Sequence, residues 1–244
     1  MKAGGSTIKR DWKINPKHNK QYPPSPHLKK PNTNPPNDRV HNNDPPKIPL
    51  SRPLITHYKS FRLLSLRLSP SNFSATHASE AAFPEEVWIS RLTNPSSTTI
   101  VAVDTPTNPS TAHSTPDEDE WLASLIISGP LDRATPTTHL HLDTPLSVLD
   151  AEQQYVLNGM YVIPSARGKA LGSKLVVFAK QHISSQTSEQ AQLSLVVDYD
   201  NDAARKTYEK CGFEVVHRYW FDDYRPGRGA RTEAAVMAVN LGTA

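Results

Sequence analysis

A β-rich run that ends at a proline, passes at once into a turn of small residues and then into a helix-periodic run leaves the chain few ways to fold. Tyr155-Val156-Leu157-Asn158-Gly159-Met160-Tyr161-Val162-Ile163, followed by Pro164, has the β-branched and aromatic content of a buried strand. Arg167-Gly168-Lys169-Ala170-Leu171-Gly172-Ser173 then packs two glycines and an alanine into the junction. Small residues there let the backbone approach a ligand and point free N–H groups at it. Beyond the turn, Leu171, Leu175, Phe178, Ala179 and His182 recur at helical spacing on one face. The positive end of that helix would face whatever lies over the turn, so an anion is the expected guest. A second strand, Leu193-Ser194-Leu195-Val196-Val197, and a second helix from Asn201 complete the unit.

Two ordered blocks in this stretch resemble those of the GNAT acyltransferase superfamily. Val162-x-Pro164-x-x-Arg167-Gly168-x-Ala170-x-Gly172 is similar to its acyl-CoA pyrophosphate loop, with Ala170 standing where many relatives have glycine. Asn201-x-x-Ala204-x-x-x-Tyr208-x-x-x-Gly212-Phe213 follows at the superfamily's spacing. The resemblance is specific over 155–213 and looser over 48–154 and 214–242. It implies an α/β fold: a mixed, mostly antiparallel sheet with splayed central strands, flanked by helices. It also implies acetyl-CoA as acyl donor, a primary amine of unspecified identity as acceptor, and no metal. On this reading the N–H groups from Gly168 through Lys169, Ala170 and Gly172 to Ser173 hold the pyrophosphate, with charge from Arg167 and Lys169. The strand backbone of Met160, Tyr161 and Val162 meets the pantetheine arm, Asn158-Gly159 carries the bulge that splays the strand, Asn201 bonds the arm, and Tyr208 acts as general acid on the sulfur.

Plainer readings of the same residues stand beside these. Asn201 is a natural helix cap, Tyr208 is spaced to pack on a sheet, and a catalytically inactive acyl-CoA-binding regulatory module would need the same loop. No carboxylate lies on the strand from Tyr155 to Val162; Asp150 and Glu152 just precede it, and Asp198 or a water chain is the other source of a base. Neutralising a lysine-type amine at pH 7 costs about 4.6 kcal/mol, so the base matters.

The rest of the chain is organised around this unit. Residues 1–46 read as a disordered tail rich in Pro and Asn, and 47–244 as the folded domain. The first 47 residues carry ten Lys or Arg against three acids, without apolar periodicity. The charges are too diluted for a nucleic-acid arm to be expected, and no window is apolar enough to span a bilayer. With the single cysteine Cys211, a cytoplasmic protein is expected, the nucleus being the other open compartment.

Ile48–Ile55 reads as an edge strand, interrupted by Pro49 and Pro53. Helices follow through Tyr58, Phe61, Leu64 and Leu68, and from Pro84 to Asn94-Pro95; by the resemblance they wall the acceptor site after a first strand. Thr98–Val103 and Trp121–Ile127 read as strands, joined by a solvated loop with Asp117-Glu118-Asp119-Glu120. Ser128–Gln153 is longer than a strand connection needs and reads as an insertion anchored by Leu146 and Leu149. Strands through Phe213–Phe221 and Ala234–Leu241 flank a loop whose Tyr224, Arg225, Arg228 and Arg231 would, by the resemblance, lie over the acceptor. His139-x-His141-x-Asp143 alternates like metal ligands but lacks a third strong donor. Gly172-Ser173-Lys174 inverts the ending a nucleotide P-loop needs, and Cys211 reads as a helix-end core residue.

Overall fold

Six strands form one sheet in the order β1-β2-β3-β4-β6-β5, antiparallel throughout except for the central β3–β4 pair. In chain order the elements are α1 (Arg52–Leu68), α2 (His77–Ala81), α3 (Glu85–Thr93), β1 (Ser97–Asp104), β2 (Glu120–Leu131), α4 (Thr135–His139), β3 (Gln153–Val162), α5 (Leu171–Gln186), β4 (Ala191–Asp198), α6 (Asp202–Lys210), β5 (Glu214–Asp222) and β6 (Arg231–Leu241). The structure is a computed structural model and describes residues 50–104, 120–132 and 135–242. The basic tail and the acidic Asp117-Glu118-Asp119 lie outside the described residues. Among those residues no helix is long and apolar enough to cross a membrane.

The two sheet faces bury different clusters, because alternate residues of a strand point to opposite faces. Tyr155, Leu157, Leu193, Leu195, Ala235 and Met237 join the main core with α5 and α6. Val156, Val236 and Ala238 join a second cluster on the other face with Leu140 and Leu149 of the segment after β2. That segment is the expected insertion, and Leu149 and Leu146 do anchor it, but Leu140, with no exposed surface, is its main anchor.

Three expectations need correction. The expected edge strand is absent over its described residues, 50–55, while Ile48 and Pro49 lie outside them: α1 already starts at Arg52, Ser51 Oγ accepts a hydrogen bond from the Leu54 N–H (3.1 Å), and Pro53 sits in the first turn, where its missing N–H costs nothing. No strand precedes α1 among the described residues. The short α2, closed by a Thr76–Ser79 capping box, was not foreseen, since five residues carry no period to read. On α5 the buried face is Leu171, Leu175, Val176, Ala179 and Ile183, with Phe178 and His182 only half-buried at its edge.

α1, α2 and α3 are tied together at one carboxylate. Glu80 is 2% exposed and accepts from Arg62 Nε (3.0 Å) and Nη2 (2.8 Å) and from Arg91 Nη1 (2.8 Å). Burial pushes this carboxyl up, but the hydrogen bonds and charges of Arg62 and Arg91 outweigh it and hold the group below its ordinary range. Arg62 also lies 4.8 Å over the Phe73 ring, and Phe73 is 6.2 Å from Tyr161. The hub therefore sets the position of an aromatic wall beside β3.

Candidate active site

β3 and β4 separate halfway along their length. They pair from Gln153–Ala191 to Val156–Ser194 and no further, so the backbone of 157–162 loses its partner on the β4 side. The cause is visible on the opposite edge of β3. Ser124 pairs with Tyr161 and Ile126 with Asn158, which leaves one extra residue in β3. Gly159 takes it up at φ 58°, a conformation that suits glycine. The bulge thus falls at Asn158-Gly159 as expected, and Asn158 Nδ2 donates to Ser128 Oγ (3.0 Å) to hold it.

At the end of β3 the chain turns through a single 3-10 turn, Pro164–Ala166, and into α5. Gly168 (φ 76°) and Ala170 (φ 57°) are both left-handed. Ala170 is the N-cap and offers no side-chain bond to the first turn of α5. The leading N–H groups of a sixteen-residue helix are left without a capping side chain, where the dipole is positive. Alternating left-handed residues ahead of such a helix form an anion-binding concavity.

The split and the turn open into one cleft of about 880 Å³. Met160, Tyr161, Val162, Arg167, Gly168, Ala170, Gly172, Ser173, Asn201 and Tyr208 all line it; of the residues expected to meet the donor only Lys169 does not. Arg167 is held back by Val162 O (3.1 Å from Nε) and Ser69 Oγ (3.2 Å from Nη2). Beside it, the Tyr161 hydroxyl is buried next to Ser69 and Arg167, and burial, the largest influence, raises its pKa. Asn201 does cap α6, its Oδ1 accepting from Ala204 N (3.2 Å), and lines the cleft as well. Tyr208 is 7% exposed and packs 5.8 Å from Phe213. Its phenol is pushed well above the ordinary range by burial first and by Cys211 second, so it stays protonated at neutral pH. Cys211 is buried at the end of α6 and its thiol is raised by burial, which leaves it inert.

Sheet-edge residues close the far side. Tyr219 and Phe221 of β5 line the cleft with Arg225 and Asp198. Of the four loop residues expected over the acceptor, only Arg225 reaches it. Tyr224 is 90% exposed, Arg231 is exposed, and Arg228 bonds Asp200 (3.0 Å) and Asp223 (3.3 Å). Arg225 is fully engaged: Asp198 takes Nη1 and Nη2 (2.8 and 3.1 Å), while Asp223 takes Nε and Nη2 (2.8 and 2.6 Å). Asp198, the one predicted base that lines the cleft, therefore has both oxygens occupied; Asp150 and Glu152 are exposed and do not line it.

His139 and His141 line the cleft too, as do Tyr219 and Phe221, which the sequence reading left out. The histidines' alternation had pointed only to a metal, and among the described residues there is no group of three candidate ligands. Nothing in the local pattern of β5 marks Tyr219, whose Oη donates to Leu140 O (3.0 Å).

Sequence and structure comparisons agree on what this cleft belongs to. The profile of the acetyltransferase (GNAT) family matches residues 91–213. A mycothiol acetyltransferase of Mycolicibacterium gilvum (strain PYR-GCK) is 36% identical over 67 residues, which cover 25% of this chain and 22% of that protein. In fold, the chain is similar to Arabidopsis thaliana NAA60 in complex with a bisubstrate analogue (TM-score 0.53, 14% identity, covering 76% of this chain and 95% of that one). It is also similar to a GNAT superfamily phosphinothricin acetyltransferase from Sinorhizobium meliloti in complex with AcCoA (TM-score 0.52, 18% identity, 80% and 86% covered). Half of the chain matches the profile, and the split β3–β4 pair lies within that match: this chain belongs to the acetyltransferase (GNAT) family.

Proposed function

We propose that the protein transfers an acyl group, acetyl foremost, from coenzyme A to a primary amine by direct attack in a ternary complex, and that it does so in the cytoplasm. The observation that carries this reading is the unpaired β3 edge beyond Val156, continuous with the uncapped start of α5. An extended amide-containing arm can bond the free strand edge as an added strand would, while a pyrophosphate sits on the N–H groups of Gly168 to Ser173. Lys169, exposed on the turn, adds charge; Arg167 would exchange Val162 O and Ser69 Oγ for a phosphate oxygen. The Asn201 cap uses only Oδ1, which leaves its Nδ2 protons for the arm.

Tyr208 is suited to one part of the chemistry. An ordinary thiol titrates near 8.5, below this buried phenol, so complete proton transfer from Tyr208 to a thiolate runs uphill. Its role on this reading is to donate a hydrogen bond to the sulfur as the C–S bond breaks.

The runner-up, a regulatory module that binds acyl-CoA without turnover, draws support from the absence of a carboxylate on β3. Calorimetry with acetyl-CoA on the full chain, followed by free-thiol release with a polyamine, an amino acid and an N-terminal peptide amine, separates the two. Acceptor-dependent thiol release supports the transferase. Binding without release supports the module, and no binding defeats both.

A further inference from the structure

Once Asp198 is paired with Arg225, the described cleft wall has no uncommitted carboxylate. An imidazole is the side chain ordinarily able to accept a proton near neutral pH, and the wall has two, His139 and His141. They come from the segment that covers the sheet face opposite α5 and α6, since Leu140 between them packs with Val156, Val236 and Ala238. The split between β3 and β4 connects that face with the turn before α5. Donor and histidines therefore meet the same cleft from opposite sides.

His141 stands out by its backbone. α4 ends in a Schellman motif: Leu142 N donates to Thr137 O (2.9 Å) and His141 N to Thr138 O (3.2 Å). This places His141 in the left-handed position of the motif, at φ 55°. Glycine is the usual occupant there, because any Cβ is strained. The sequence nevertheless places an imidazole at this point. Tyr219 Oη fixes the turn through Leu140 O (3.0 Å), and Arg225 and Asp198 line the same wall from the β5–β6 loop and β4.

We propose that His141 is the general base for the acceptor amine, an assignment that rests on the transferase reading. The ammonium form of the acceptor gives one proton to His141, which passes it to solvent. The freed lone pair forms the C–N bond at the thioester carbonyl, and the C–S bond breaks with its electron pair on sulfur, where the Tyr208 hydroxyl donates a hydrogen bond; the second N–H proton passes to solvent and the thiolate takes one proton from solvent. One amide, one thiol and one released proton result, so atoms and charge balance. The acceptor enters from the insertion face.

His141→Gly tests this cleanly, because glycine suits the left-handed position and the fold should not suffer. In the full chain, acetyl-CoA affinity and Tm are measured for the wild type and the variant, then thiol release with spermidine, lysine and an alanyl peptide, with and without added imidazole. The expected result is a Tm equal to or above the wild type, unchanged acetyl-CoA affinity, and a fall in kcat of about a hundredfold or more, partly restored by imidazole. An unchanged kcat, or a loss that imidazole does not restore, overturns the assignment while leaving the transferase reading intact. Wild-type protein that binds acetyl-CoA yet releases no thiol removes the transferase reading, and this one with it.

Discussion

The two ends of the cleft are built in different ways. The end proposed for the donor is mostly backbone: the free edge of β3, the turn from Arg167 to Ser173 and the start of α5, all within 157–173, with Asn201 and Tyr208 added from α6. The end proposed for the acceptor is made of side chains from Asn72–Ser74, His139, His141, Tyr219, Phe221 and Arg225, which lie far apart in sequence. Two charge networks, centred on Glu80 and Asp223, flank that end and hold its elements in place. A backbone site needs only the right turn and a bulge, so it is generic for its ligand. A side-chain site needs a scaffold, and its selectivity lies in residues that can be changed without altering the fold.

The sharpest way to separate the two ends is Tyr208→Phe. Removing the hydroxyl takes away the only contact proposed for the sulfur but leaves the ring, the turn and the strand edge untouched. Turnover should fall about 10²-fold to 10³-fold with acetyl-CoA affinity unchanged by calorimetry. Equal losses in affinity and turnover would instead place Tyr208 in the scaffold, packed on Phe213.

Glu80→Gln strikes the acceptor end through stability. Breaking a buried ion pair by removing one partner costs about 3–5 kcal/mol. The low end applies, since the Arg62 and Arg91 side chains are 20% and 33% exposed and regain water. Urea unfolding should show a loss of about 3 kcal/mol. The wild type's own pH dependence carries the same information. A carboxyl held below its unfolded value contributes stability that is complete above that value and is lost as pH falls through the folded one. The difference between wild type and Glu80→Gln should therefore shrink progressively as pH drops below about 4.3, the ordinary glutamate value. A difference independent of pH would mean that packing, not charge, holds the three helices.

Asn201→Ala tests whether one residue serves both structure and donor. Loss of the cap should cost about 1 kcal/mol, and on the proposed reading acetyl-CoA affinity should fall as well. A stability loss with unaltered affinity would leave Asn201 a cap alone.

What the sequence disclosed follows the same division. The turn was readable because its chemistry is local: Gly168, Ala170 and Gly172 lie within five residues, and the strand before them and helix after them have periods of their own. Asn158-Gly159 was readable as a bulge for the same reason. Glu80 gave no signal, since Arg62 and Arg91 are eighteen and eleven residues away and only the packing of three helices brings them together. Tyr219 looks like any strand aromatic until the insertion lies across it. Ile48–Ile55 misled because Pro49 and Pro53 speak against a strand interior but fit a helix start equally well.

The smallest predicted effect concerns the donor end itself. Ala170 occupies a left-handed position (φ 57°, ψ 20°), which costs an L-residue about 1–2 kcal/mol. Glycine removes that strain but loses roughly 0.5–1 kcal/mol through its freer unfolded chain. Ala170→Gly should therefore stabilise the protein by about 0–1.5 kcal/mol in urea unfolding. Its effect on acetyl-CoA binding then reports on the methyl group alone, because the backbone is already in the shape that glycine favours. Unchanged affinity means that the methyl points clear of the phosphates and the turn is complete as it stands. Tighter binding means that this chain gives up donor affinity at a position where the backbone site, otherwise generic, is open to tuning.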